Sequence, residues 1–254
     1  MAKDPQKEGS ITVKTLVLFF LLDNSRSMID EGKITQVNQA FRECFGNGGS
    51  LTRFAEHHTV KTQANVKIAA LEFSTGADWI TINGPIPIGD FPWNDLEAKG
   101  TSTDMGEAFK KLSSVLYRKN FLSDPQGYKV PYYILVTDGL AMDDWEYGLN
   151  ELKKSEWFTK GIKIAIAVGE DANEDEALKV LEAFAGSREA IISIMDCSKL
   201  AELIKVLTMT VIKEGSKPPK ANQLYANNSE DNPDQNEAIE VIKETMEEAE
   251  IDMV

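Results

Sequence analysis

Thr15–Leu22, TLVLFFLL, runs directly into Asp23-Asn24-Ser25-Arg26-Ser27. An unbroken β-rich apolar run of this length reads as a strand covered on both faces, because a strand with one wet face alternates apolar with polar residues. A second such run, Tyr132–Val136 (YYILV), also ends in an acid-bearing turn, Thr137-Asp138-Gly139. Between and after them, strand-like runs alternate with helical spacings. Val66–Phe73, Trp79–Ile82, Ile162–Val168 and Ala190–Ile194 read as further strands. Ile34–Phe45, Leu51–Val60, Met105–Tyr117, Asp144–Trp157, Glu174–Phe184 and Ser198–Ile212 read as helices, with Asp143 as a cap of the fourth. This alternation predicts a doubly wound α/β fold: a mostly parallel sheet, helices on both faces and one antiparallel edge strand. In such sheets ligands sit beyond the carboxyl ends of the strands, where the strand order reverses.

The 254-residue chain is 42% apolar and 27% charged, which suits a sizeable core and excludes collagen, coiled coil and wholesale disorder. Its net charge of −14 disfavours nucleic acid and anionic membrane surfaces as partners. Cys44 and Cys197 lie far apart without ligand-like spacing, so neither a disulfide framework nor a zinc site is expected. The apolar run at 16–22 is far short of the roughly 20 residues a bilayer needs. Asp23 follows it where a signal peptide would carry small residues, so a cytoplasmic location is expected.

Residues 1–12 read as a loose polar end and 13–213 as the domain. Residues 214–254 hold eleven acids against three lysines and read as linker and solvated acidic tail. A helix over 233–252 is possible there, with Ala238, Ile242, Thr245, Met246, Ala249 and Met253 on one stripe for docking.

Three segments place polar groups at expected strand ends: Asp23-x-Ser25-x-Ser27, Gly100-Thr101-Ser102-Thr103 and Thr137-Asp138-Gly139. Each alone has a local explanation, since Asp, Ser and Thr cap helices and Asp-Gly makes turns. Together they predict two carboxylates and several hydroxyls in one pocket, a hard oxygen-rich set suited to Mg²⁺, Mn²⁺ or Ca²⁺ rather than Zn²⁺. Residues i and i+2 of an extended loop point the same way, so Ser25 and Ser27 can face one ion.

The order and spacing of these segments resemble the three loops of the von Willebrand factor A domain and its metal-ion-dependent adhesion site, over roughly residues 14–212. Within that family the chain looks like the bacterial tellurium-resistance (TerY-like) branch. The supporting stretches are VLFFLLDNSRSM, VKIAALEFSTGA, GTSTDMGEAF, ILVTDGLAMDDW and IKIAIAVGEDA. The resemblance implies Mg²⁺ (or Mn²⁺ or Ca²⁺) held directly by Ser25 and Ser27, with Asp23 and Asp138 acting through water. Thr103 is the threonine ligand that Gly106-Glu107-Ala108 selects, with Thr101 as second choice.

It further implies a non-enzymatic module binding a protein that presents Asp or Glu to the metal, in a tellurite-resistance or stress-response complex. Arg26 stands where the family has a small residue, and Leu140-Ala141 where the branch favours Glu-Pro.

The enzymatic alternative is a Mg²⁺-dependent phosphohydrolase. It would need a second acid two residues after its nucleophile, and Ser25 occupies that place. A phospho-receiver domain would need a lysine at a late strand end, whereas Lys163 opens its strand.

Overall fold

The computed structural model describes residues 13–46, 48–62, 64–116, 121–217, 233–249 and 251. Residues 1–12 and Met253 lie outside them. One seven-stranded sheet carries the fold, with strand order β3-β2-β1-β5-β6-β7. The strands are β1 (Lys14–Asp23), β2 (Ala64–Ser74), β3 (Gly76–Trp79), β4 (Ile86–Pro87), β5 (Tyr132–Thr137), β6 (Ile162–Val168) and β7 (Ile191–Ile194). β1, β2, β5, β6 and β7 pair in parallel. The antiparallel edge comes in two short pieces, β3 and β4, both on β2.

β1 is central and buried along nine of its ten residues, which is why it reads as a continuous apolar run. Its alternation feeds two cores. Phe19 stacks on Tyr133 of β5 with ring centres 5.0 Å apart. Phe20 faces the other way and meets Phe41 and Phe45 at 5.1 and 5.8 Å.

Helices α1 (Lys33–Cys44), α2 (Ser50–Thr62) and α7 (Leu200–Gly215) pack against one another on the Phe20 side. Helices α3 (Met105–Ser113) and α4 (Trp145–Leu152) pair with one another, and Phe109 of α3 stacks on Phe184 of α6 (Asp175–Ala185) at 5.5 Å. Gly148 and Gly106 let α4 and α3 touch backbone to backbone, for a Cβ on Gly148 would come within 2.2 Å of the Gly106 carbonyl oxygen.

The helix expected over Asp144–Trp157 is broken into α4 and α5 (Glu156–Thr159). The turn between them lets Phe158 enter the core against Tyr133 and Phe184. Asp144, not Asp143, caps α4, accepting from the Tyr147 amide at 3.1 Å.

The acidic segment does not simply trail into solvent. Helix α8 (Pro233–Glu248) packs on α7 and the start of β6, burying Ala238, Ile239, Ile242 and Met246. Gln235 accepts from the Lys163 amide at 2.8 Å and donates to the Lys163 carbonyl at 2.7 Å, extending the β6 ladder where β7 does not reach. Among the described residues no helix is long and apolar enough to cross a membrane.

Candidate metal centre

Strand order reverses at β1, whose neighbours are β2 on one side and β5 on the other. The carboxyl ends of β1 and β5 are therefore the switch point of the sheet. Asp23 is the last residue of β1, and Asp138 follows the last residue of β5. The pairing of Leu22 with Val136 sets Asp23 beside Thr137.

Asp23 is 1% exposed. One carboxylate oxygen accepts from the Ser25 amide at 2.7 Å and the other from the Thr137 hydroxyl at 2.5 Å. Burial pushes its pKa up to about 6, against the lowering effect of the Thr137 and Ser25 hydrogen bonds.

The Ser25 and Ser27 hydroxyl oxygens lie 3.0 Å apart, and Ser27 donates to Asp138 Oδ1 at 2.8 Å. This gives a continuous polar chain from the first loop to the third. Asp138 is 1% exposed, and its second oxygen accepts from Lys33 Nζ at 2.9 Å. Burial alone would lower the Lys33 pKa, but its bond and attraction to Asp138 outweigh this and raise it.

The two threonines of the second loop differ. Thr103 is buried, and its carbonyl accepts from the Met142 amide of the third loop at 3.0 Å. Thr101 is exposed and uses its amide to reach Thr75 Oγ1. The structure thus sets Thr103, not Thr101, against the third loop. Among the described residues the Thr103 hydroxyl has no hydrogen-bond partner. The loop itself is tied down by Asp104, which accepts from the Gly76 amide at 2.7 Å and from Ser102.

Three groups support the site in roles that the sequence reading does not assign to them. Asn24 is fully buried and ties the first loop down, donating to Glu72 at 2.8 Å and to the Glu97 carbonyl at 3.3 Å. Asp143 reaches across to cap α3, accepting from the Gly106 and Glu107 amides at 2.8 and 2.9 Å. Lys33 is the third. Its one visible signal is a lysine directly ahead of the helix expected over Ile34–Phe45, at the end where the macrodipole disfavours a cation.

The donors suit a hard divalent cation. All are oxygens, only two are carboxylates, and the Thr103 hydroxyl makes no hydrogen bond among the described residues. Among the described residues no three His, Cys, Asp or Glu side chains gather, so an all-acid or thiolate cage is not the arrangement here. Around the centre Arg26, Asp30, Glu31, Glu170 and Asp171 are exposed.

No protein-family model and no curated protein matches this sequence. Solved structures do resemble it. Proximal thread matrix protein 1 from the mussel byssus, in a form with a zinc-occupied MIDAS motif, aligns with a TM-score of 0.53 at 15% identity over 79% of this chain and 48% of that one. A von Willebrand factor type A protein from Catenulispora acidiphila aligns with a TM-score of 0.50 at 17% identity over 78% of this chain and 43% of that one. The pilus adhesin SpaC from Lactobacillus rhamnosus GG, in an open conformation, gives 0.53 at 12% identity over 80% of this chain and 30% of that one. The chain spans about half the length, or less, of these structures. It has the von Willebrand factor A fold.

Proposed function

We propose that the chain is a non-enzymatic, metal-dependent protein-binding module. Asp23, Ser25, Ser27, Thr103 and Asp138 would hold Mg²⁺, with Mn²⁺ or Ca²⁺ as substitutes, and a partner's Asp or Glu would complete the ion's shell. The ion would supply a Lewis-acidic anchor for that carboxylate, while this chain's residues set its position. The observation that carries the reading is the oxygen chain Ser25–Ser27–Asp138, buried at both ends and half-buried at Ser27, at the switch point of the sheet.

The setting of Asp23 supports a binding role over phosphoryl transfer. Both its oxygens are engaged and its side chain is buried, so it is poorly placed as a nucleophile. The finer reading is a cytoplasmic tellurite-resistance or stress-response complex of the TerY-like type. It rests on the sequence resemblance over residues 14–212. The apolar stripe of the acidic C-terminal segment, Ala238, Ile242 and Met246, is buried within this chain, so a second docking contact in that reading would fall to its exposed acids such as Glu240, Glu244 and Glu247, separate from nucleic acid or membrane contacts.

The test is Mn²⁺ uptake by the full chain, followed by electron paramagnetic resonance of the free ion. Wild type is expected to bind one Mn²⁺ that EDTA removes, and Asp23→Ala to bind none while keeping its circular dichroism. Turnover of p-nitrophenyl phosphate with Mg²⁺, lost in Asp23→Ala, would overturn the non-enzymatic reading.

A further inference from the structure

Lys33 is a buried cation inside the polar cluster, only 5% exposed, and its ion pair with Asp138 at 2.9 Å is shielded from water on both sides. It opens α1, which has no acid in its first turn, so nothing local to the helix favours a lysine there. Two features fit the backbone to it. Glu31 and Gly32 form a turn with φ of +55° and +72°, and Glu31 is the one non-glycine residue with positive φ among those described. At the end of β6, Gly169 has φ of +84°, and a Cβ there would lie 3.1 Å from Lys33 Cε. A larger residue at that position would crowd the lysine.

We propose that Lys33 is a tethered cation that shares Asp138 with the bound ion, loosening the metal and leaving the loaded site with a surplus positive charge for the incoming carboxylate. This rests on the metal-dependent reading above.

The charge count carries the argument. Asp23 and Asp138 bring two negative charges, which a divalent ion cancels, and Lys33 then leaves the loaded site at +1. Without Lys33 the loaded site would be neutral. Buried charges a few ångströms apart act on one another far more strongly than in water. The ammonium also engages one Asp138 oxygen, so less of that carboxylate's charge would be available to an ion. The surplus matters on this chain because the exposed acids Asp30, Glu31, Glu170 and Asp171 outnumber the exposed Arg26 around the site and the net charge is −14. That surrounding field repels an acidic side chain unless a local positive charge opposes it.

The test compares full-length wild type with Lys33→Met and Lys33→Gln. Mn²⁺ affinity is read from the free-ion resonance, and acetate affinity for the Mn²⁺-loaded protein from water-proton relaxation. The neutral variants are expected to bind Mn²⁺ about tenfold tighter or more, and acetate about threefold weaker or more.

Neutral variants that bind Mn²⁺ no tighter than wild type, or acetate no more weakly, overturn the proposal and leave the metal reading standing. A variant that stays unfolded at saturating Mn²⁺ also overturns it, since the ion should replace the missing charge at Asp138. Uptake by the neutral variants but not by wild type supports the competition while counting against the function proposed above. Absence of uptake in every protein removes the metal reading and this inference with it.

Discussion

Two lysines of this chain are buried to a similar depth at opposite edges of the sheet, and their surroundings differ in kind. Lys33, at the carboxyl edge, is bonded to a carboxylate, and its pKa is raised because Asp138 outweighs the cost of burial. Lys163, at the amino edge, is 8% exposed and makes no ion pair among the described residues. Its ammonium donates to the carbonyls of Gly161 at 2.8 Å and Thr159 at 3.2 Å and lies 5.6 Å from the Phe158 ring centre. Burial, with a smaller push from Lys153, lowers its pKa to about 8. Carbonyl oxygens and a ring can solvate a charge but cannot cancel it. The amino edge thus tolerates a cation for packing, whereas the carboxyl edge balances a cation against acids, as expected of a place built to exchange charges with a ligand.

The sharpest way to break this contrast is to remove the acid. Asp138→Ala would strand Lys33 as a buried, unpaired charge. It is expected to cost about 3–5 kcal/mol in urea unfolding with EDTA present. Adding Lys33→Met to that variant should recover most of the loss, because the stranded charge goes with it. A double variant no more stable than the single one would show that the pair does not balance as described.

A smaller effect, of opposite sense, is expected at Asp23. Its folded-state pKa of about 6 lies above the ordinary 3.8. The stability linked to its protonated form is therefore fully present below pH 3.8 and lost as pH rises through 6. Asp23→Asn, compared with wild type in EDTA, should gain about 3 kcal/mol relative to it between pH 3.5 and 7. Excess Mn²⁺ at pH 7 should reverse the ranking, because only wild type can use its ionised carboxylate to bind the ion. A flat difference across that pH range would mean Asp23 is not desolvated as the structure has it.

The contrast between the edges also explains which parts were readable in sequence. β1 and β5 announce themselves because strands covered on both faces have no polar positions to spare, and their acids mark where the cover ends. The Asp23-to-Ser27 and Asp138 segments follow from that, since the topology brings strand ends together, whereas Thr103 precedes α3 rather than ending a strand and was legible only through the family resemblance. What periodicity does not report is which polar group finishes another far along the chain. Lys33 and Asp138 are 105 residues apart, Asp143 caps a helix starting 38 residues before it, and Gln235 completes a strand 72 residues upstream. Each of these stretches looks locally like an ordinary helix start, because the hydrogen bond that defines its role is set by tertiary placement. The acidic tail misleads for a related reason. Its charges dominate its composition, while five buried apolar residues among those described and one amide decide that it packs.

The mildest expected effect belongs to the amino edge. Lys163 gains its charge at higher pH in the unfolded chain, near 10.5, than in the folded one, near 8. Stability from this group is therefore present above pH 10.5 and lost as pH falls through 8. Lys163→Met removes the dependence, so wild type should gain about 2 kcal/mol on the variant between pH 7.5 and 10.5. The full shift would give somewhat more, but the two carbonyl bonds and the Phe158 ring favour the ammonium and offset part of the burial cost. Mn²⁺ uptake should be untouched, since Lys163 sits at the far end of β6 from the carboxyl edge. Lys33→Met in the same experiment should change Mn²⁺ uptake and show no such rise. If the two substitutions gave the same pH profile, the two edges would share one kind of electrostatics, and the assignment of the carboxyl edge as the charged site would lose its support.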